Sequence, residues 1–266
     1  MPSILNNIAA IGASRQLGIT NTGLQQTIQR LTTGKRINQA SDDAAGLAIS
    51  NKLNADIKIA GQAQRNTNDA TSYLQVADGV LDTVTNLLTR AAQLAQQAQT
   101  GTVDSTGRAS LDAEFQNIIT TINNIQNNTV FSGTSVFSAN VLSVAAGGFG
   151  TVTVAIDTFN TLVSGGTTSL QSVGGAAAAA TSIAAMLTSV SALRGTIGAS
   201  EQQLSAVSDT LGIQVENFTA AYSHIHDANV ADEVVSLSKF QILNQSGISA
   251  LSKANQSGQS ILALLQ

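Results

Sequence analysis

Apolar residues recur at helical spacing along nearly the whole chain, apart from one short central stretch. Near the N-terminus Ile4, Ile8 and Ile11 fall at i, i+4 and i+7, and Leu24, Ile28 and Leu31 repeat the interval. Near the C-terminus Val230, Val234 and Leu237 do the same, Ile248, Leu251, Leu262 and Leu265 lie along one stripe at coiled-coil spacing, and Ile242, Leu243 and Ile261 add to the apolar content. These patterns predict a helix over 3–33 and a terminal helix over 225–266. A helix with one apolar stripe buries nothing alone. Each end therefore needs a partner, either the other end or a neighbouring copy of the chain.

Between the ends the pattern predicts a turn, a long helix, a shorter helix, a β region and a second long helix. Gly34 suits a C′ position, with Lys35 and Arg36 where cations favour a helix C-terminus. After a polar turn at 37–40, Ser41 or Asp42 can cap a helix running to about Gln99, with Asp43 in its first turn. Leu47, Leu53, Ile57, Leu74, Leu81, Leu88 and Ala95 mark its stripe, the last four at intervals of seven. At 1.5 Å per residue it would be roughly 80 Å long, a length that coiled-coil packing supports. Thr100-Gly101 ends it, and Asp104 or Ser105 opens a helix carrying Leu111, Phe115, Ile118, Ile119, Ile122 and Ile125. From Val130 to about Thr168 the chain is rich in Gly, Ser, Thr, Val and Phe, and the segment 151–157 alternates at period two, which predicts one or two small hairpins. Gly174-Gly175 and an alanine run lead into a helix over 176–222 with Leu187, Val190, Leu193, Ile197, Leu204 and Leu211. Residues 222–227 read as a joint before the terminal helix.

The expected fold is mainly α: an elongated antiparallel helical bundle or coiled coil with paired terminal helices and a small central β-hairpin region. Residues 1–40 and 225–266 form the terminal pair, 41–129 and 176–224 the long-helix rod, and 130–175 a short tip.

Composition sharpens this picture. Aromatic residues are 3% of the chain and Trp is absent, so close helix packing by Ala, Leu, Ile and Val replaces a conventional core. Only 11% of residues are charged, well under the roughly one quarter of an average domain. Either Asn, Gln, Ser and Thr cover the surface, or contacts between subunits hide it. The net charge of −4 without a basic cluster argues against nucleic acid. No cysteine is present, which excludes thiolate chemistry. No apolar run approaches the roughly 18–20 residues of a membrane span, and the first ten residues lack the charge and apolar block of a cleavable signal. Rows of Lys or Arg that would hold an amphipathic helix on a lipid surface are missing as well.

Catalytic chemistry finds no support. His224 and His226 at i, i+2 point to different sides of a helix and lack a His-Glu-x-x-His frame, so no metal site is expected. Asp42-Asp43 reads as helix-start charge. Gly133, Gly147, Gly148 and Gly150 are not followed by the Lys-Ser/Thr of a phosphate loop. No catalytic residue, metal or cofactor is assigned.

Leu31-Thr-Thr-Gly-Lys-Arg-Ile-Asn38 followed by Ser41-Asp-Asp-Ala-Ala-Gly-Leu-Ala-Ile-Ser50 resembles the N-terminal signature of bacterial flagellin. Arg65-Asn66, Asn68-Asp69 and Leu88-Thr-Arg-Ala-Ala-Gln-Leu-Ala95 extend the resemblance. Arg194, Ile197-Gly-Ala199, Asp227-Ala-Asn229, Gln241-Ile-Leu-Asn-Gln245, Ala254-Asn-Gln256 and Ile261-Leu-Ala-Leu-Leu265 resemble the C-terminal half. The match covers roughly 1–135 and 180–266. Two departures stand out: His224 where the family usually has Arg, and Gly258 where it often has Pro.

The resemblance implies a structural subunit that polymerises into the flagellar filament used for motility, with outer domains missing or vestigial. It implies self-association, an export chaperone on the C-terminal helix, and contacts with hook–filament junction and cap proteins. It also implies an extracellular location reached through the flagellar export channel without a cleaved signal. The apolar stripe residues of both ends are the expected polymerisation surface, and those ends are expected to be disordered in the isolated monomer. Arg90, Leu94 and Glu114 match positions through which a vertebrate Toll-like receptor detects the family; the plain reading makes Arg90 and Glu114 solvated charges and Leu94 core. Two alternatives remain. A hook–filament junction protein has similar ends but usually carries Pro in the segment matching Asp42-Asp43-Ala44, and a non-polymerising coiled-coil binding protein would share the periodicity.

Overall fold

The computed structural model describes residues 7–138, 141–156, 158, 159 and 169–263, and side chains through 257. Ile4 and Leu265 lie outside these residues, and the side chains of Ile261 and Leu262 lie outside those described. Five α-helices are seen among the described residues: α1 (Ile8–Thr33), α2 (Ala44–Ala98), α3 (Ser105–Asn128), α4 (Val173–His226) and α5 (Val230–Ala263). The β region holds β1 (Val130–Phe131), β2 (Thr134–Ser135), β3 (Val141–Ala145) and β4 (Thr151–Ala155).

Several boundaries differ from the sequence expectation, each for a local reason. Asn7 accepts from the Ala10 N–H at 3.0 Å and caps α1, which opens at Ile8; positions 3–6 of the expected helix lie outside the described residues. Gly34 closes it in the left-handed region at φ 71°, which no Cβ opposes. The cap of α2 is Asp43, whose carboxylate accepts from the Gly46 N–H at 2.8 Å; neither Ser41 nor Asp42 fills that place. Asp42 instead accepts from the N–H groups of Asn38 and Gln39 at 3.0 and 2.9 Å. Those bonds to Gln39 and Asn38 hold its carboxyl below the usual range. Asp104 caps α3 by accepting from the Gly107 N–H. α4 begins at Val173 with both glycines inside its first turn, where glycine costs less than in mid-helix, and it runs through the expected joint to His226. The link to α5 is only 227–229.

The chain divides into two compact units, one of residues 1–57 and 216–266 and one of residues 58–215. In the second unit the core is a heptad ladder. Leu74, Leu81, Leu88 and Ala95 alternate with Ala77, Val84, Ala91 and Ala98 along α2, all fully buried. Ala176, Ile183, Val190, Ile197 and Leu204 answer them at sevens along α4, while Phe115, Ile118, Ile119 and Ile122 close the layer from α3. α2 and α4 run antiparallel here, since Arg194 of α4 reaches Asp78 at 2.8 Å and Asp82 at 3.0 Å, and Ser208 meets Asn68.

Both hairpins belong to this core. β1 pairs with β2 across Ser132 and Gly133, both at positive φ as a tight primed turn requires, and β3 pairs with β4 from Val141↔Ala155 to Ala145↔Thr151. Val144, Val152, Val154, Ile156 and Phe159 are buried beside the helices. Phe131 packs edge-on against Tyr73 at 5.6 Å, and Phe137 against Phe159 at 4.9 Å. Tyr73 also donates to the Val136 carbonyl. The expected rod and tip thus share one core.

One expectation on hydropathy is corrected. α4 contains an 18-residue window of mean hydropathy 1.6, apolar and long enough to cross a membrane by length and composition alone. Alanine raises that average, and Ala176, Ala179, Ile183, Met186 and Val190 spend their apolar face on the core just described.

Candidate assembly interface

The first unit is organised by α1 lying antiparallel on α5. Asn7 donates to the Ala254 carbonyl at 2.9 Å, Asn244 donates to Asn21, and Arg30 pairs with Glu233 at 3.6 Å, so the contacts run in strict counter-order along the two helices. The face of α1 turned to α5 carries Ala13, Leu17, Thr20, Leu24, Thr27 and Leu31 at alternating steps of three and four; Thr20 and Thr27 are its buried residues. On α5 the matching positions are Glu233, Leu237, Phe240, Asn244, Gly247 and Leu251, each partly buried.

Of the expected surface residues, Leu24, Leu31, Leu237 and Leu251 therefore work inside the subunit. The others described do not. Ile8, Ile11, Ile28, Val230, Val234, Ile242, Leu243 and Ile248 are exposed, Ile8 by 75% and Ile242 by 65%. At 100° per residue, Ile8, Ile11 and Ile19 lie on the side of α1 opposite the seam, and Val235 and Ile242 lie opposite it on α5. Periodicity alone missed Ile19 and Val235. The signal for them was a second apolar face, visible once the first is assigned.

The link at 227–229 is tied to the start of the chain. The Arg36 N–H donates to the His226 carbonyl at 2.8 Å and the Ala228 N–H to the Gly34 carbonyl at 2.9 Å. The Arg36 guanidinium also donates to the Ile225 carbonyl at 2.7 Å. Ile37, next in sequence, is buried and reaches toward Gly46 of α2. His226 is 7% exposed, stacks on Tyr222 at 4.7 Å and meets Asp227 at 3.3 Å, whereas His224 is exposed. Among the described residues no group of three His, Asp or Glu could hold a metal.

Arg90 and Glu114 lie in the second unit and form an exposed ion pair at 2.7 Å. Leu94 is 1% exposed and packs in the core. A cleft of about 520 Å³ lies between α2 and the hairpins, lined by Asn66, Asp69, Tyr73, Phe131 and the β3 strand. It gathers no nucleophile–base pair.

Comparison with known proteins matches residues 4–142 to the bacterial flagellin N-terminal helical region and residues 180–265 to the flagellin C-terminal helical region. The flagellar filament 30.7 kDa core protein of Treponema maltophilum is 34% identical, over 98% of this chain and 99% of that protein. A flagellin of Halalkalibacterium halodurans is 34% identical over 99% of both chains. Among solved structures, Bacillus cereus flagellin is similar with a TM-score of 0.52 and 28% identity, covering 59% of this chain and 94% of that one.

Proposed function

The chain belongs to the bacterial flagellin family, and from that premise we propose how its own residues carry assembly. It is a structural subunit that polymerises with copies of itself into the flagellar filament; the family is structural and not enzymatic. The polymerising surface is the outward side of the α1–α5 pair. One observation carries this reading: after α1 and α5 have filled their mutual seam, isoleucines and valines still cover their far sides. Burying such a side chain stabilises by about 1.5–3 kcal/mol, and none of the described residues covers them. The Ile8–Ile11–Ile19 face and the Val235–Ile242 face differ in sequence, so contact between them is heterologous and propagates as an open helix.

The same exposed residues account for the remaining partners. Val234, Val235, Ile242 and Leu243 on α5 form the docking surface for an export chaperone, which keeps them from water before assembly. The terminal pair also meets the hook–filament junction and cap proteins. The subunit leaves the cell through the flagellar export channel without a cleaved signal and acts in the extracellular filament. Any Toll-like receptor contact in a vertebrate host falls on the exposed Arg90–Glu114 pair, with Leu94 supporting it from beneath.

The test is seeded growth followed by electron microscopy. Full-length chain added to short filament fragments should elongate them, and the Ile8→Ser/Ile11→Ser/Ile19→Ser variant should not. Equal growth by that variant would remove α1's outer face from the interface. Caps only a few subunits long from the unaltered chain would point to the junction protein.

A further inference from the structure

The α1–α5 seam is a short two-stranded coil whose apolar pattern repeats every seven residues. Such a pattern is nearly unchanged when one helix slides by a heptad, about 10 Å at 1.5 Å per residue. Something must choose the register. Polar contacts at Asn21–Asn244 and Arg30–Glu233 are partly exposed, and exposed pairs of this kind contribute little.

Side-chain size supplies a stronger choice. Phe240 lies over Gly23, where an added Cβ would sit 2.7 Å from the ring carbons Cε1 and Cζ. Leu17 lies over Gly247, where a Cβ would meet Cδ1 of Leu17 at 3.2 Å. Each helix thus offers one large side chain and one glycine: Phe240 occupies the place a Cβ would take on Gly23, and Leu17 crowds the place one would take on Gly247. On α5 the pair is Phe240 and Gly247, seven residues apart and so at equivalent heptad positions. A slip of one heptad in one direction sets Phe240 against Leu17, which overpacks the seam. A slip in the other sets Gly247 against Gly23, which leaves a void.

We infer that the reciprocal pairs Gly23–Phe240 and Leu17–Gly247 are a register lock that admits a single alignment of the terminal helices, and that this alignment specifies which side chains the subunit presents to the next copy. The inference rests on the terminal pair being the assembling surface. A lock of this kind is needed because a slipped pair would carry the Ile8–Ile11–Ile19 face about 10 Å past the Val235–Ile242 face. Every lattice contact would then be lost, although each helix would remain intact.

Size swaps in the full-length chain test it, read as elongation rate on seeds. Gly23→Leu should slow elongation by about tenfold, as overpacking costs at this scale predict. Gly23→Leu with Phe240→Ala should recover to within about twofold. Gly23→Ala gives a test of sign: helix propensity alone predicts a roughly fivefold gain in the local helix equilibrium, whereas the lock predicts slower growth. Because the chain has no cysteine, disulfides can report the register directly. Asn21→Cys/Asn244→Cys should cross-link within the subunit in filaments, Asn21→Cys/Leu251→Cys should not, and Gly23→Leu should weaken the first link. Wild-type growth for Gly23→Leu, faster growth for Gly23→Ala, no rescue by Phe240→Ala, or efficient linkage through residue 251 would each overturn the lock. Failure of the unaltered chain to elongate would instead overturn the assembly reading beneath it.

Discussion

The two compact units handle apolar side chains in opposite ways. In the unit of residues 58–215, leucine, valine, isoleucine and phenylalanine stack in a continuous buried ladder, and the hairpins seal its sides. In the unit of residues 1–57 and 216–266, Ile37 is the sole buried hydrophobic residue among those described, while Thr20, Thr27, Ser50 and His226 are buried with it. Beside the leucines of the seam, many of its large apolar residues face outward, among them Ile8, Ile11, Ile19, Val235 and Ile242. One unit satisfies its hydrophobic pattern within a single chain. The other leaves such side chains exposed in the single chain, and on the reading proposed above their burial waits until copies meet. The difference teaches that a chain can complete one core and still hold apolar side chains in reserve, and on the proposed reading the burial withheld from the single chain is what drives polymerisation.

The comparison breaks most completely by removing its deferred half. Deleting residues 237–266 takes away most of α5, and so the seam partner of α1 and one outer face. The truncated chain should stay a monomer with a cooperative melt from residues 58–215, and should elongate no seeds. Filaments from that truncation, seen by electron microscopy, would sink the division of labour. Hydrogen exchange sharpens the same point: amides of α1 and α5 should exchange quickly in the monomer and slowly in filaments, while those of 74–98 stay protected in both.

Point substitutions separate the units next. Leu81→Ala opens a cavity in the ladder and should cost about 3–4 kcal/mol in a denaturant melt of the monomer. Ile242→Ser should leave that melt within about 0.5 kcal/mol and reduce elongation instead. Equal effects of the two on monomer stability would erase the distinction.

The carboxylate of Asp112 offers a subtler probe of the self-sufficient unit. It is 7% exposed and accepts from the Leu170 N–H at 2.7 Å and from Gln171 at 3.0 Å, with Gln116 and Ser169 near 3.5 and 3.4 Å. Burial raises its pKa, but the bonds from Leu170, Gln171, Gln116 and Ser169 outweigh this and hold it below the ordinary value. A lowered folded pKa means that the stabilisation is complete above the unfolded value near 4 and is lost as pH falls through the folded one. Asp112→Ala should cost about 2–3 kcal/mol at neutral pH. The variant's deficit should shrink below about pH 4, and a deficit independent of pH would refute the charged role.

How much of this was legible in the residues depends on what each feature needs. Leu74, Leu81 and Leu88 announce their seam because a ladder within one long helix repeats in sequence as it does in space. The β3–β4 hairpin showed through the period of two at 151–157, and β1–β2 only through the turn-rich composition around it. The side of α1 that faces α5 was not legible: Ile8 and Ile11 form as good a stripe as Leu17 and Leu24, and the choice fell to a seam that tolerates buried threonines. The cap of α2 was ambiguous among Ser41, Asp42 and Asp43, since any of them can accept an amide; the turn at 38–39 took Asp42 and left Asp43 for the helix. Asp112 gave no signal at all, because its partners at 169–171 lie more than fifty residues away. The glycines at 23 and 247 read as helix weaknesses until the side chain opposite each is known.

The smallest expected effect tests the seam between α2 and α4. Arg194 donates to Asp78 and Asp82, one helical turn apart, and gathers two carboxylates that would otherwise repel. The Asp78 hydrogen bond raises its pKa further above the usual guanidinium value, so the charge persists at every accessible pH. The group is still about one third exposed, and water and salt screen much of the attraction. Arg194→Ala should therefore destabilise the monomer by only about 1 kcal/mol, with most of that gone near 1 M salt, where the screening length falls to about 3 Å. Seeded elongation should be unchanged, since the ion pair belongs to the unit that closes its own core. A loss of several kcal/mol, or one indifferent to salt, would mean that Arg194 works by packing its stem against the ladder. Slower elongation would mean that the self-sufficient unit also takes part in assembly, and would redraw the comparison at that residue.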